Sequence, residues 1–186
     1  MAAAALELCR GDGDFEMSSV AQTAGVSVGL AYHHFGSKAG LVAAVVEQFY
    51  EELDQEVMMA KFGLSDWAER EHLRVKRNVA FHYRHPLAAV ILRRLRREPG
   101  VLEIEHARIK RQVTEGTRNI QSAQKQGTVF PDLEPEAAAA FTLSGMRSLI
   151  AIALESPPES RPSEDALTAM IWRLIRQAIG KPSRQI

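Results

Sequence analysis

Apolar residues in this chain recur with the period of an α-helix almost from end to end. No segment alternates cleanly with period two, and no Asn-Gly type hairpin signal interrupts the pattern. An all-α fold follows. Helices are expected over about 2–9, 17–24, 27–34, 38–61, 65–84, 86–97, 101–126, 135–155 and 163–179, about nine in all. Their ends are set by Gly11-Asp12-Gly13, Gly25, Gly36, Gly63, Pro86, Pro99-Gly100, Gly127, Pro157-Pro158, Gly180 and Pro182. In the fourth helix, Leu41, Val45, Phe49, Leu53 and Val57 fall at i+4 spacing and form one stripe to be buried. The last helix has a wide apolar face of Leu167, Met170, Ile171, Leu174, Ile175 and Ala178.

Composition narrows the setting. With 46% hydrophobic and 25% charged residues in 186, the chain can build a real core. A single cysteine, Cys9, excludes an internal disulfide framework and fits a reducing cytoplasm. No basic, apolar leader opens the chain, and no uninterrupted apolar run reaches the roughly 18 residues of a membrane helix, so no membrane partner is expected. The net charge is zero but unevenly spread. Residues 1–64 hold three basic and nine acidic side chains, residues 65–130 fourteen and seven, and residues 131–186 six and seven. An acidic first third works against phosphate binding. Yet between Met17 and Val46 the only formal charge is Lys38.

That stretch carries the most information. In Met17–Lys38, MSSVAQTAGVSVGLAYHHFGSK, Ala21 lets two helices cross closely, and Gly25 supplies the left-handed corner between them. Val20, Ala24, Val26 and Ala31 are expected to fill the wedge, and Ser27 to cap the second helix. This is the construction of a helix-turn-helix, whose second helix enters the major groove of DNA. Val20-Ala21, Ala24-Gly25-Val26-Ser27, Tyr32, His34-Phe35 and Ser37-Lys38, with Leu41 beyond, resemble the DNA-binding domain of the TetR family of repressors over about residues 5–50.

The resemblance implies roles. Ser27, Val28, Gly29 and Leu30 would face the groove, Tyr32 and Lys38 would hold phosphates, His33 or His34 would lie near backbone or bases, and Phe35 would be core. Without Arg or Asn on this helix, readout would fall to thymine methyls, shape and water. The family usually carries about ten further residues before Leu6, often basic, so either the start of this sequence is mis-assigned or that arm is missing. Glu16 stands where a Ser or Thr often caps the second helix, and Val28 replaces a frequent basic or polar residue. The resemblance further implies residues 1–46 as a DNA-binding domain, with the helix from 38 linking it to a ligand-binding and dimerisation domain over 47–186. The last two helices, about 135–155 and 163–179, would pair two copies, with close backbone approach at Ser144-Gly145.

The expected function is therefore a homodimeric, ligand-released repressor that binds double-stranded operator DNA and answers to a small-molecule effector. A helical ligand- or partner-binding dimer with weakened DNA affinity is the alternative, motivated by the acidic first third. No GxSxG, P-loop, HExxH or paired-carboxylate arrangement supports an enzyme, and no cofactor is expected. His82 and His85 could share a helix face as metal ligands, but no cysteine or carboxylate joins them, so surface or pocket histidines are the better reading. Arg93, Arg94, Arg96 and Arg97 read as a solvated face, with an anionic-ligand or second nucleic-acid site as the sharper option. Trp67, Phe81, Tyr83, Met146 and Trp172 read as core before they read as pocket lining.

Overall fold

The computed structural model describes residues 1–60, 62–95 and 98–181. Lys61, Arg96, Arg97 and Pro182, which figured in the expected helix ends and basic cluster, lie outside the described residues. Among the described residues there are nine α-helices and no strand. They are α1 (Ala2–Arg10), α2 (Met17–Ala24), α3 (Val28–Phe35), α4 (Lys38–Leu53), α5 (Trp67–Arg84), α6 (Ala88–Arg93), α7 (Pro99–Lys125), α8 (Pro135–Glu155) and α9 (Glu164–Ile179).

Most helix starts follow from their caps. Ser27, Ser37, Asp66 and Ser163 each accept the backbone N–H three residues on, and Glu134 accepts those of Glu136 and Ala137. Pro99 and Pro135 occupy the first helical turn, where the missing N–H costs nothing. This corrects one boundary. Pro99-Gly100 opens α7 instead of ending the helix before it, and α6 shrinks to six residues.

Helix α4 buries the whole expected stripe, from Leu41 to Leu53, and Val57 beyond it. It does not run on as a regular helix to residue 61. From Asp54 to Met58 the backbone opens into a π-helical turn, with Met59 N–H bonding Asp54 O at 2.7 Å. Arg74 on α5 caps that turn by donating to the carbonyls of Val57 and Met58. Asp54 continues the i+4 row of Val42, Val46 and Tyr50 and so faces inward, where it is 6% exposed.

Around α4 the other helices build one continuous core that reaches from Ala4 and Leu8 in α1 to Leu167 and Ile171 in α9. A smaller cluster of Trp67, Ile120, Ala123, Val129 and Ile179 closes the far end. Helices α7 and α8 pack along one another most extensively. A side chain at Gly116 would meet Ala139 at 3.0 Å, so glycine sets how closely these two helices approach. By length and composition α8 could cross a bilayer, which the search for uninterrupted apolar runs did not anticipate. In the fold it packs against α5, α6, α7 and α9 and carries Arg147 midway.

Candidate nucleic-acid interface and ligand cavity

The corner between α2 and α3 is made by Gly25, whose φ of 67° is left-handed. Its N–H bonds Gln22 O at 3.1 Å, and the Val26 N–H reaches back to Ala21 O at 3.0 Å, which closes α2 in a Schellman-type turn. Val20, Ala21 and Ala31 are buried between the helices as expected. Ala24 and Val26 are not: both are exposed, because the turn carries them past the edge of the wedge.

Helix α3 buries only Ala31. Ser27, Val28, Gly29, Leu30, Tyr32, His33 and His34 all lie on its exposed surface, with Val28 at 39%, Leu30 at 43% and Tyr32 at 46%. Phe35 is half-buried and packs on the core. Three large apolar or aromatic side chains on one short helix turned to water are unusual unless something covers them.

Lys38, at the first turn of α4, is placed differently from a free phosphate anchor. Its Nζ donates to Asp14 Oδ1 at 2.5 Å and lies 5.0 Å from the Phe15 ring centre. The ammonium, by hydrogen bond and charge, holds the Asp14 carboxyl below the usual carboxylate range, helped by the Phe15 N–H. Glu16 sits at the N-cap of α2 and makes no side-chain capping bond. Of these two carboxylates, Asp14 is thus partly neutralised from within.

The head is tied to the body by α6. Arg94 donates two hydrogen bonds to Asp12 Oδ2, at 3.0 and 2.7 Å, and its Cβ lies where a side chain at Gly13 would meet it. Leu92, on the same short helix, lines a cavity of about 310 Å³ in the body. In the described part of the basic cluster, Arg93 and Arg94 are exposed, and Arg94 is paired with Asp12.

The cavity has a charged wall that the sequence did not reveal. Asp54 accepts from Arg108 Nε and Nη2, Arg111 Nη2 and Gln112 Nε2, all between 2.8 and 3.1 Å. Glu105 accepts the Tyr50 hydroxyl at 2.6 Å and pairs with Arg147. The Arg108 guanidinium also lies 4.5 Å from the Tyr50 ring centre. Burial, the largest effect, and the nearby Glu105 carboxylate push the Tyr50 hydroxyl well above its ordinary range, so it stays protonated and donates. His82 is pushed down to about 4 by burial, aided by the positive fields of Arg108 and Arg147, although its bond to Asn78 O opposes the shift. It is neutral near pH 7, with Nδ1–H donating to that carbonyl and Nε2 left as an acceptor. His85 is half-buried against Phe49 and Phe81, and burial lowers it too.

A second cavity of about 260 Å³ shares Met58, Leu143 and Met146 with the first and is lined also by Trp67 and Ile120. Trp67 and Met146 are thus both core and cavity wall, while Phe81 is plain core. Cys9 is half-buried, and burial raises its thiol, which leaves it a poor nucleophile.

On the outer side, α8 and α9 expose Phe141 at 64%, Ile152 at 59%, Met170 at 40% and Leu174 at 49%. The expected apolar face of α9 is split: Leu167 and Ile171 enter the core, while Met170, Leu174 and Ala178 point outward.

Comparison with known proteins gives a consistent result. Residues 1–45 match the family described as bacterial regulatory proteins, tetR family. The HTH-type transcriptional regulator BetI of Pseudomonas fluorescens is 37% identical over 65 residues, which cover 35% of this chain and 33% of that protein, so the match spans about a third of the curated relative's length. A TetR-family regulator of Pectobacterium atrosepticum has the same fold over 97% of this chain and 92% of its own, with a TM-score of 0.75 and 25% identity. AibR, solved with isovaleryl coenzyme A and operator DNA, shares the fold at a TM-score of 0.69 and 18% identity over 93% of this chain and 94% of its own. The head thus resembles the tetR family over residues 1–45, and the whole chain shares the fold of solved regulators described as members of that family.

Proposed function

We propose that the chain is a homodimeric transcription regulator that represses by binding operator DNA and is released by a small-molecule effector. The observation that carries this reading is α3, a capped helix that leaves Val28, Leu30 and Tyr32 in water beside the Lys38 end of α4. In this reading residues 1–46 form the DNA-binding unit, and residues 47–186 bind the effector and a second copy. Ser27, Val28, Gly29 and Leu30 face the groove, Tyr32, His33 and His34 lie along its wall, and Lys38 exchanges Asp14 for a phosphate on docking. Two copies pair through the outward faces of α8 and α9. A two-fold axis then sets two recognition helices about one turn of duplex apart, roughly 34–36 Å.

AibR has been solved with both operator DNA and an acyl thioester, which supports an effector as well as DNA for this fold. Release follows only if the effector favours one dimer geometry over another. The site of action is the cytoplasm, on chromosomal DNA. Selection from a genomic fragment library at low salt, followed by footprinting, tests the reading; enrichment of a palindromic site with half-sites one turn apart is the expected result.

A second reading has its own support. The Lys38–Asp14 pair and the uncapped Glu16 both weaken attraction for phosphate. A dimer that binds ligand yet ignores all DNA at low salt would favour a partner- or ligand-binding protein instead.

A further inference from the structure

We infer that the cavity walled by Arg108 and Arg147 takes a carboxylic acid with an apolar body, held as a monoanion with its carboxylate on the two guanidiniums. The inference rests on reading the chain as an effector-responsive regulator and names the class of that effector.

Three charged side chains line the cavity, Glu105, Arg108 and Arg147, which leaves one positive charge over. Behind the wall Asp54 is shared between Arg108 and Arg111, and Arg111 is 68% exposed, so water screens part of the surplus and the cavity keeps a weakly positive wall. Both guanidiniums have donors to spare. Arg108 uses Nε and Nη2 on a single oxygen of Asp54, and Arg147 meets Glu105 through Nη2 alone among the described residues. Planar forks of this kind match a carboxylate. Asn78 adds an independent sign of a missing ligand: it is 5% exposed, lines the cavity, and its Oδ1 has no hydrogen-bond partner, so this acceptor calls for a donor such as a hydroxyl or N–H on the ligand's body, away from the carboxylate. A cation would be repelled, an uncharged molecule would leave the surplus unmatched, and a multiply phosphorylated ligand would overshoot it. The remaining wall is mixed, with His82, Gln112 and Ser144 beside apolar Leu53, Leu92 and Ile109. Apolar Met58, Leu143 and Met146 separate it from the second cavity. Methionines repack readily, so an alkyl or aryl body can extend past them.

The test is isothermal titration of the full chain, without DNA, with butanoate, octanoate, dodecanoate and benzoate, and in parallel with octanol and octanoyl coenzyme A. At least one carboxylate should bind saturably, one molecule per chain, with octanol about tenfold weaker than octanoate or worse. Arg147→Gln should weaken the bound carboxylate by about tenfold, and Arg147→Lys, which keeps the charge but loses the fork, should weaken it by less. The inference is overturned if none of these carboxylates binds, if octanol or the thioester equals octanoate, or if a folded Arg147→Gln binds as the parent does. The comparison of octanoate with octanol uses the unaltered chain and stands even if the variants fail to fold. DNA binding is measured separately without ligand: DNA held and every carboxylate ignored overturns this inference alone, while a bound carboxylate with no DNA affinity overturns the regulator reading alone.

Discussion

Lys38 shows how far a single residue's role depends on its neighbours. The basic side chain expected to touch phosphate is held by Asp14, with both groups substantially exposed. Such a pair contributes little to stability, so breaking it is cheap. Asp14→Asn is therefore expected to tighten DNA binding several-fold and steepen its salt dependence by about one counterion. Tyr32→Ala and Lys38→Ala should each weaken it by roughly 1–3 kcal/mol while leaving the dimer intact. Fluorescence anisotropy across a salt series reads all three. His82 supports a different prediction. Its folded pKa, about 4, lies below the ordinary 6.5, so below pH 6.5 the unfolded chain takes up the proton more readily. Stability is therefore fully present above pH 6.5 and falls as the pH drops toward 4, by on the order of 3 kcal/mol in total. Urea midpoints for the parent and His82→Gln at pH 7 and 4.5 check this: the variant should lose less on acidification.

At the scale of elements, the sequence showed the helix-turn-helix almost completely, because its geometry is local. Gly25, Ser27 and the small Ala21 act on neighbours within a few residues, so their spacing alone announces the corner. The charged cavity wall was hidden for the opposite reason. Tyr50, Asp54, Glu105 and Arg147 come from segments far apart in sequence, and the i+4 row of Val46, Tyr50 and Asp54 does not announce which side chains will meet it. Met146 was likewise read as core because burial and cavity lining produce the same apolar spacing. The short α6 escaped too: Pro86 and Pro99 bracket a span that reads as one helix, but Pro99 belongs to α7. That small helix joins the cavity, through Leu92, to the head, through Arg94 and Asp12. Arg94→Ala is expected to change stability by less than about 1 kcal/mol, since both partners are exposed. It should also blunt the effect of a bound effector on DNA affinity, which is read by titrating effector into a labelled DNA complex.

For the whole molecule, the organising fact is the division of apolar surface among three places. Most enters the core around α4, and the exposed remainder gathers chiefly on α3 and on the outer faces of α8 and α9, with scattered members such as Met59 and Leu102 elsewhere. In the proposed reading a second copy covers the outer faces of α8 and α9, and a duplex covers α3 once the two copies set its spacing. Ile152→Glu and Leu174→Glu should each yield folded monomers by light scattering, because these side chains are 59% and 49% exposed and support nothing inside the chain. Those monomers should lose operator affinity although α3 is untouched. The most direct measurement of the central claim is binding of the purified chain to its selected genomic fragment, with Tyr32 and Lys38 both changed to alanine as the comparison. Saturable binding of a dimer to one site, lost in the double variant while the dimer persists, is the predicted result. Equal affinity of parent and double variant at moderate salt would contradict it.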